Sequence, residues 1–215
     1  MINRSSSLFL VLLLLFSMAM PAAADEYDNT YQTIVPPQPT TTGDKIEVLE
    51  VFWYGCPHCY HFEAYIHRWL KTKPADVEFV RMPAVLSRNW LPHAKAYYAA
   101  IKLDVLNRIH TPLFNALHRD GKRIFTEDEL RNFFVSQGVD GEAFTKAYES
   151  TEVQTKIKQA FYLARNFKIT GVPSIVVDGK YMTSASMTGS YDKLLEVVNY
   201  LIKKVRAEKQ AAAGN

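Results

Sequence analysis

Both cysteines of this 215-residue chain fall in the stretch FWYGCPHCYHF at 52–62, with Pro57 and His58 between Cys56 and Cys59. A Cys-x-x-Cys pair on the first turn of a helix brings two sulfurs within bonding reach. The unpaired N–H groups and partial positive charge of the helix N-terminus stabilise a thiolate there. Cys56 is expected at the cap with its sulfur towards solvent, and Cys59 one turn further in and more buried. Cys56 is then the sulfur that attacks or is attacked, and Cys59 the one that resolves. His58 can set a further donor or positive charge beside the Cys56 thiolate, and Pro57 supplies a helical φ where an N–H would go unused. Thiols of this kind span pKa values from about 3.5 to 7.5, against about 8.5 for free cysteine. At the low end the thiolate stabilises the dithiol at neutral pH by about 5 kcal/mol, which makes the couple more oxidising by on the order of 100 mV. A weakly stabilised thiolate leaves a reductant, and the sequence does not choose between them.

Two plainer readings carry less weight. A purely structural disulfide closing so short a loop would remove little chain entropy. A zinc site would need two more ligands. His61 and His67 fall on the same helix as the motif, while His93, His110 and His118 are scattered further along, where surface or capping roles are ordinary. No metal is expected.

The motif needs a strand before it and a helix after it, and the flanking residues provide both. KIEVLEVFWY at 45–54 is β-branched, aromatic and nearly continuously apolar, as a strand buried on both faces reads. CYHFEAYIHRWLK at 59–71 sets Phe62, Ile66, Trp69 and Leu70 at helical spacing, with Pro57 at the first helical position. VEFVRM at 77–82 reads as a second strand, completing a right-handed βαβ unit. From 86 to 167 the pattern becomes a series of amphipathic helices with start and stop signals, among them the capping box from Thr126 to Glu129 and the glycines Gly121 and Gly138. Strand character returns in VPSIVVDGKYM at 172–182, where Asp178-Gly179 signals a hairpin. A final helix presents Leu194, Leu195, Val198, Leu201, Ile202 and Val205 to the sheet, and the tail QAAAGN is expected to fray.

The compartment fits a disulfide. Arg4, the apolar run at 8–16 and the small-residue segment ending at Ala24 read as a secretory signal peptide cut after Ala24, the run being too short for a membrane span of roughly 18 residues or more. Removing Arg4 from 25 basic residues leaves 24 against 22 acidic, a balance that gives no support to a nucleic-acid partner. The 48% hydrophobic content supports a sizeable core without disulfide staples.

Taken together, LEVFWYGCPHCYHFE at 49–63, TPLF at 111–114 and GVPSIVVDGKY at 171–181 make the chain resemble the bacterial periplasmic thiol:disulfide oxidoreductases of the DsbA type. The resemblance covers nearly all of the sequence after the signal. It implies an α/β thioredoxin fold with an inserted helical domain: signal 1–24, thioredoxin-fold parts 25–85 and 168–215, helical insertion 86–167. It also implies that Pro173 is cis and faces the disulfide, and that the backbone of Val172 pairs with an extended substrate peptide. Residues of the insertion would cover the far side of the peptide groove, with His61 on its border. Glu50, a carboxylate in a buried strand, would pair with the next strand and assist the proton of Cys59. Its expected partner is Arg81, where the family has lysine, so Arg81 would set the charge of Glu50 without itself giving up a proton.

The activity implied is that of a dithiol oxidase donating a Cys56–Cys59 disulfide to exported proteins with free cysteines. Its reoxidant would be a DsbB-type membrane quinone reductase; no cofactor beyond the disulfide and a monomeric state are implied. This family is itself the reference case for so low a cysteine pKa and so oxidising a couple, so the magnitude above is not independent of the resemblance. A disulfide isomerase or reductase, and a peptide-binding chaperone on the same scaffold, are the alternatives.

Overall fold

The computed structural model describes residues 27–214, so the signal segment and its cut after Ala24 lie outside the described residues. Five strands form one sheet in the order β1-β5-β4-β2-β3, where β1 is Gln32–Thr33, β2 Ile46–Phe52, β3 Val77–Pro83, β4 Ser174–Val177 and β5 Tyr181–Ser184. β2 runs parallel to β3 and antiparallel to β4; β4–β5 and β5–β1 are antiparallel. The turn between β4 and β5 holds Asp178 at φ +51° and Gly179 at φ +65°. Gly179 is required there, because a Cβ would lie 2.0 Å from the Gln38 carbonyl oxygen.

Every residue of β2 is buried, as its sequence demands, because helices cover both faces of the sheet. On one face Ile46 and Val48 pack with Phe62, Ile66 and Trp69 of α1 (Pro57–Leu70) and with α8 (Tyr191–Ala213). On the other, Leu49, Val51 and Met82 meet Ala160 and Ala164 of α6 (Thr151–Asn166) and the adjoining Phe167. The remaining helices are α2 (Leu91–Lys102), α3 (Leu106–His118), α4 (Glu127–Ser136), α5 (Gly141–Tyr148) and the short α7 (Ala185–Thr188). Helices α2 to α5 share a third apolar cluster that also takes in Phe52, Tyr54, Cys56 and Cys59. The helical layer therefore packs directly against the cysteine motif.

Two boundaries and one buried stripe differ from the sequence reading. β2 stops at Phe52 because Trp53 and Tyr54 turn out of the sheet, the Cys56 N–H donating to the Trp53 carbonyl at 3.0 Å. The buried stripe of α8 includes Val197 while Leu195 is only partly buried, the register following from the 100° step per residue. The C-terminal helix continues to Ala213, consistent with the high helix propensity of its alanines.

Candidate active site

Cys56 caps α1 in an extended conformation (φ −92°, ψ 116°) with Pro57 as the first helical residue, so the helix start falls where the sequence rules put it. The approach is tight. A Cβ on Gly55 would lie 2.3 Å from the Trp53 ring, which itself stacks on Trp90 at 4.4 Å. Both cysteines are thiols in this structure. Cys56 is 8% exposed and Cys59 fully buried, so Cys56 is the sulfur a partner can reach, although less open than the sequence suggested. Cys56 has its pKa lowered to about 6: the Cys59 thiol hydrogen bond is the largest cause, burial opposes it, and the backbone N–H groups of Cys59 and His58 and the charge of His58 add to the lowering. Burial raises Cys59 well above the ordinary thiol range, and its interactions with Cys56 raise it further. Opposite the pair, Val172–Pro173 is a cis peptide bond, and the Cys56 thiol donates to the Val172 carbonyl at 3.6 Å.

Beneath the motif lies a buried charged cluster. Glu50 pairs in register with Arg81 across β2 and β3, and the Arg81 Nε donates to Glu50 Oε2 at 2.9 Å. Burial raises Glu50 to a pKa of about 7, against the lowering effect of Arg81, with Glu63 raising it further. Sequence reasoning missed Glu63, whose carboxylate accepts from Arg81 Nη2 at 2.9 and 3.2 Å. Burial pushes Glu63 up, but the His110 hydrogen bond and the Arg81 charge outweigh it and hold its pKa below the usual range. Its signal was available: Glu63 falls one turn beyond Cys59 in the stripe 59, 62, 63, 66, 69 that α1 buries, and an acid there needs a partner. Two α3 histidines, set aside as metal ligands, hold the segment before the motif. His110 Nδ1 lies 2.8 Å from the Tyr54 hydroxyl, and His118 Nε2 lies 2.7 Å from the Tyr54 carbonyl oxygen.

A DSBA-like thioredoxin domain model matches residues 81–196. The chain is 38% identical over 211 residues to the thiol:disulfide interchange protein DsbA of Pseudomonas syringae pv. tomato, covering 98% of this chain and 99% of that one. The chain belongs to the DsbA family. The DsbA of Pseudomonas aeruginosa is 39% identical over 90% of this chain and 92% of its own. Its crystal structure superposes with a TM-score of 0.80 at 37% identity, covering 85% of this chain and 95% of that one. The oxidoreductase DsbA from Xylella fastidiosa gives 0.77 at 35% identity, covering 83% and 96%. The α/β thioredoxin fold with added helices and the thiol:disulfide oxidoreductase class are thus those of DsbA proteins.

In this DsbA-family chain an open groove of about 860 Å³ runs beside the cysteines, bounded by His58 and Tyr65 of α1, the loop carrying Val172 and Pro173, and the segment from Ser184 to Asp192. Two expectations are corrected here. No residue of 86–167 lines this groove; its second wall is the chain after β5. His61 does not line it either: the residue is exposed beside Tyr60, since one helical turn carries position 61 about 60° away from the line through His58 and Tyr65. Tyr191, which the sequence did not single out, forms part of the wall and donates its hydroxyl to the His58 carbonyl at 3.0 Å. That bond ties the start of α8 to the start of α1. Among the described residues there is no cluster of potential metal ligands, and no helix is long and apolar enough to cross a membrane.

Proposed function

We propose that the chain is a periplasmic dithiol oxidase, exported with removal of residues 1–24, that donates a Cys56–Cys59 disulfide to newly exported proteins. The observation that carries this reading is the opposed ionisation of the two thiols, with Cys56 brought down to about 6 and Cys59 raised well above the ordinary range. A substrate thiolate attacks Cys56 Sγ; the Cys56–Cys59 bond breaks, and its electron pair goes to Cys59, which takes up a proton. A second substrate thiolate then attacks the substrate sulfur of the mixed disulfide and releases Cys56 as a thiolate. The substrate has lost two electrons and the enzyme has gained them. Pro57 and His58 serve by fixing the helix start and supporting the Cys56 thiolate.

Glu50 is the proton donor and acceptor for Cys59. It is buried, its pKa is raised to about 7, and its charge acts on Cys59. Val172 and Pro173 border the groove opposite Cys56 and receive an extended peptide. The catalytic cycle closes by reoxidation through a membrane quinone reductase of the DsbB type, with the disulfide as the only redox group and the protein acting as a monomer.

Trapping tests the order of attack. With Cys59→Ser, a substrate peptide whose cysteine carries an activated disulfide is attacked by the Cys56 thiolate, expels its activating thiolate and forms a stable mixed disulfide at Cys56, whereas Cys56→Ser traps none under the same conditions. Equal trapping at both positions contradicts the assignment.

A further inference from the structure

Glu50 and Glu63 share one guanidinium but not the same surroundings. Glu63 Oε2 also has His110 Nε2 and His67 Nε2 each at 3.4 Å. Among the described residues Glu50 is hydrogen-bonded only by Arg81, and its Oε1 is buried without a hydrogen-bond partner. The other nitrogen of His110, Nδ1, lies 2.8 Å from the buried Tyr54 hydroxyl. A tyrosine proton donated to Nδ1 requires that nitrogen to be bare, which leaves the single proton of a neutral imidazole on Nε2; that nitrogen is buried without a formed hydrogen bond among the described residues, and Glu63 Oε2, 3.4 Å away, is the carboxylate oxygen it faces. The opposite tautomer would aim a lone pair at a carboxylate oxygen.

We infer that Tyr54 and His110 are positioning residues that lock the charge onto Glu63 and thereby leave Glu50 as the carboxyl holding the exchangeable proton beneath Cys59. Two carboxylates around one arginine resist ionising together, so whichever is better supplied with donors takes the charge and the other keeps a proton. The titratable and charged groups around the ring are Glu63 and His67 from α1, Tyr54 just after β2, Arg81 from β3 and Tyr97 from α2, with Glu50 of β2 on the Nε of Arg81. Tyr97 does not compete for the ring nitrogens, because its hydroxyl donates to the Arg81 carbonyl at 3.1 Å. His110 itself stays neutral, with burial and the Arg81 charge lowering its pKa against the pull of Glu63.

This rests on the assignment of Glu50 as the proton carrier for Cys59, and the test separates the two. In the native reduced protein at pH 7, nitrogen NMR of His110 is expected to show Nε2 protonated and Nδ1 bare; a proton on Nδ1, alone or with Nε2, overturns the inference whatever Glu50 does. The rate at which a small disulfide reoxidises Cys56 and Cys59 is then followed against pH. An inflection near pH 7 is expected from Glu50 and should vanish in Glu50→Gln; its survival there refutes the Glu50 assignment. His110→Leu should move the inflection to lower pH by about one unit, because Glu63 then competes for the proton and repels Glu50 less. Tyr54→Phe should move it the same way, and His110→Gln, which keeps both an N–H donor and an acceptor, should restore it. An inflection lost in Glu50→Gln but unmoved in Tyr54→Phe and His110→Leu overturns the positioning role alone.

Discussion

The pKa of Cys56 sets a pH dependence that can be worked through in numbers. Reduction of the disulfide takes up two electrons and, below the Cys56 pKa, two protons; above it, one proton. Each proton contributes about 30 mV per pH unit to a two-electron couple. The potential should therefore fall by about 60 mV per pH unit below pH 6 and by about 30 mV per unit above it, the break lying at the Cys56 pKa of about 6. At pH 7, one unit above that pKa, thiolate formation stabilises the dithiol by about 1.4 kcal/mol and makes the couple more oxidising by about 30 mV. That is well short of the roughly 100 mV reached at the bottom of the family range, and solvent at the sulfur screens the interaction further. The sign also fixes stability: a thiol whose folded pKa is depressed stabilises the folded dithiol form fully above the unfolded thiol pKa of about 8.5 and loses the effect as pH falls from there through the folded value of about 6. Glutathione equilibria from pH 5 to 8, with the fraction of bonded cysteines read by thiol alkylation, measure the slope. A steady slope of about 60 mV per unit up to pH 8 would refute the stabilised thiolate.

Further outcomes follow from the same structure. Arg81→Met leaves Glu50 and Glu63 buried without their cation and should cost about 3–5 kcal/mol at pH 7, a loss that shrinks towards pH 5 as the carboxyls protonate; denaturant unfolding at both pH values checks it. Gly55→Ala drives a methyl into the Trp53 ring and should cost about 1–3 kcal/mol while changing the tryptophan fluorescence of the Trp53–Trp90 stack. Thr126→Ala removes one half of a complete capping box at the start of α4 and should lower stability by about 1 kcal/mol without altering the redox potential.

What could be read in the sequence was whatever local chemistry dictates. CPHC after a continuous apolar run places Cys56 at a helix cap and Cys59 inside, because Pro57 and the helix-start rules act over four residues. The Asp178-Gly179 turn and the Thr126 capping box were legible for the same reason. The Glu50–Arg81 pair came from the family resemblance, and the parallel register of β2 and β3 sets the two residues opposite each other. What escaped depends on contacts between residues far apart in the chain. The groove wall is built from the segment after β5, and Tyr191 reaches back 133 residues to the His58 carbonyl. His110 looked like an ordinary histidine of an amphipathic helix until the fold set it between Tyr54 and Glu63. His61, next to the motif in sequence, is exposed on the flank of α1 and outside the lining of the groove.

The central claim is that the Cys56–Cys59 disulfide is one the protein gives away. Its most direct test is the equilibrium potential of residues 25–215 at pH 7 against glutathione. The account predicts a value clearly above the roughly −270 mV of thioredoxin. A value at or below that level would mean a disulfide too stable to donate, and would contradict the oxidase.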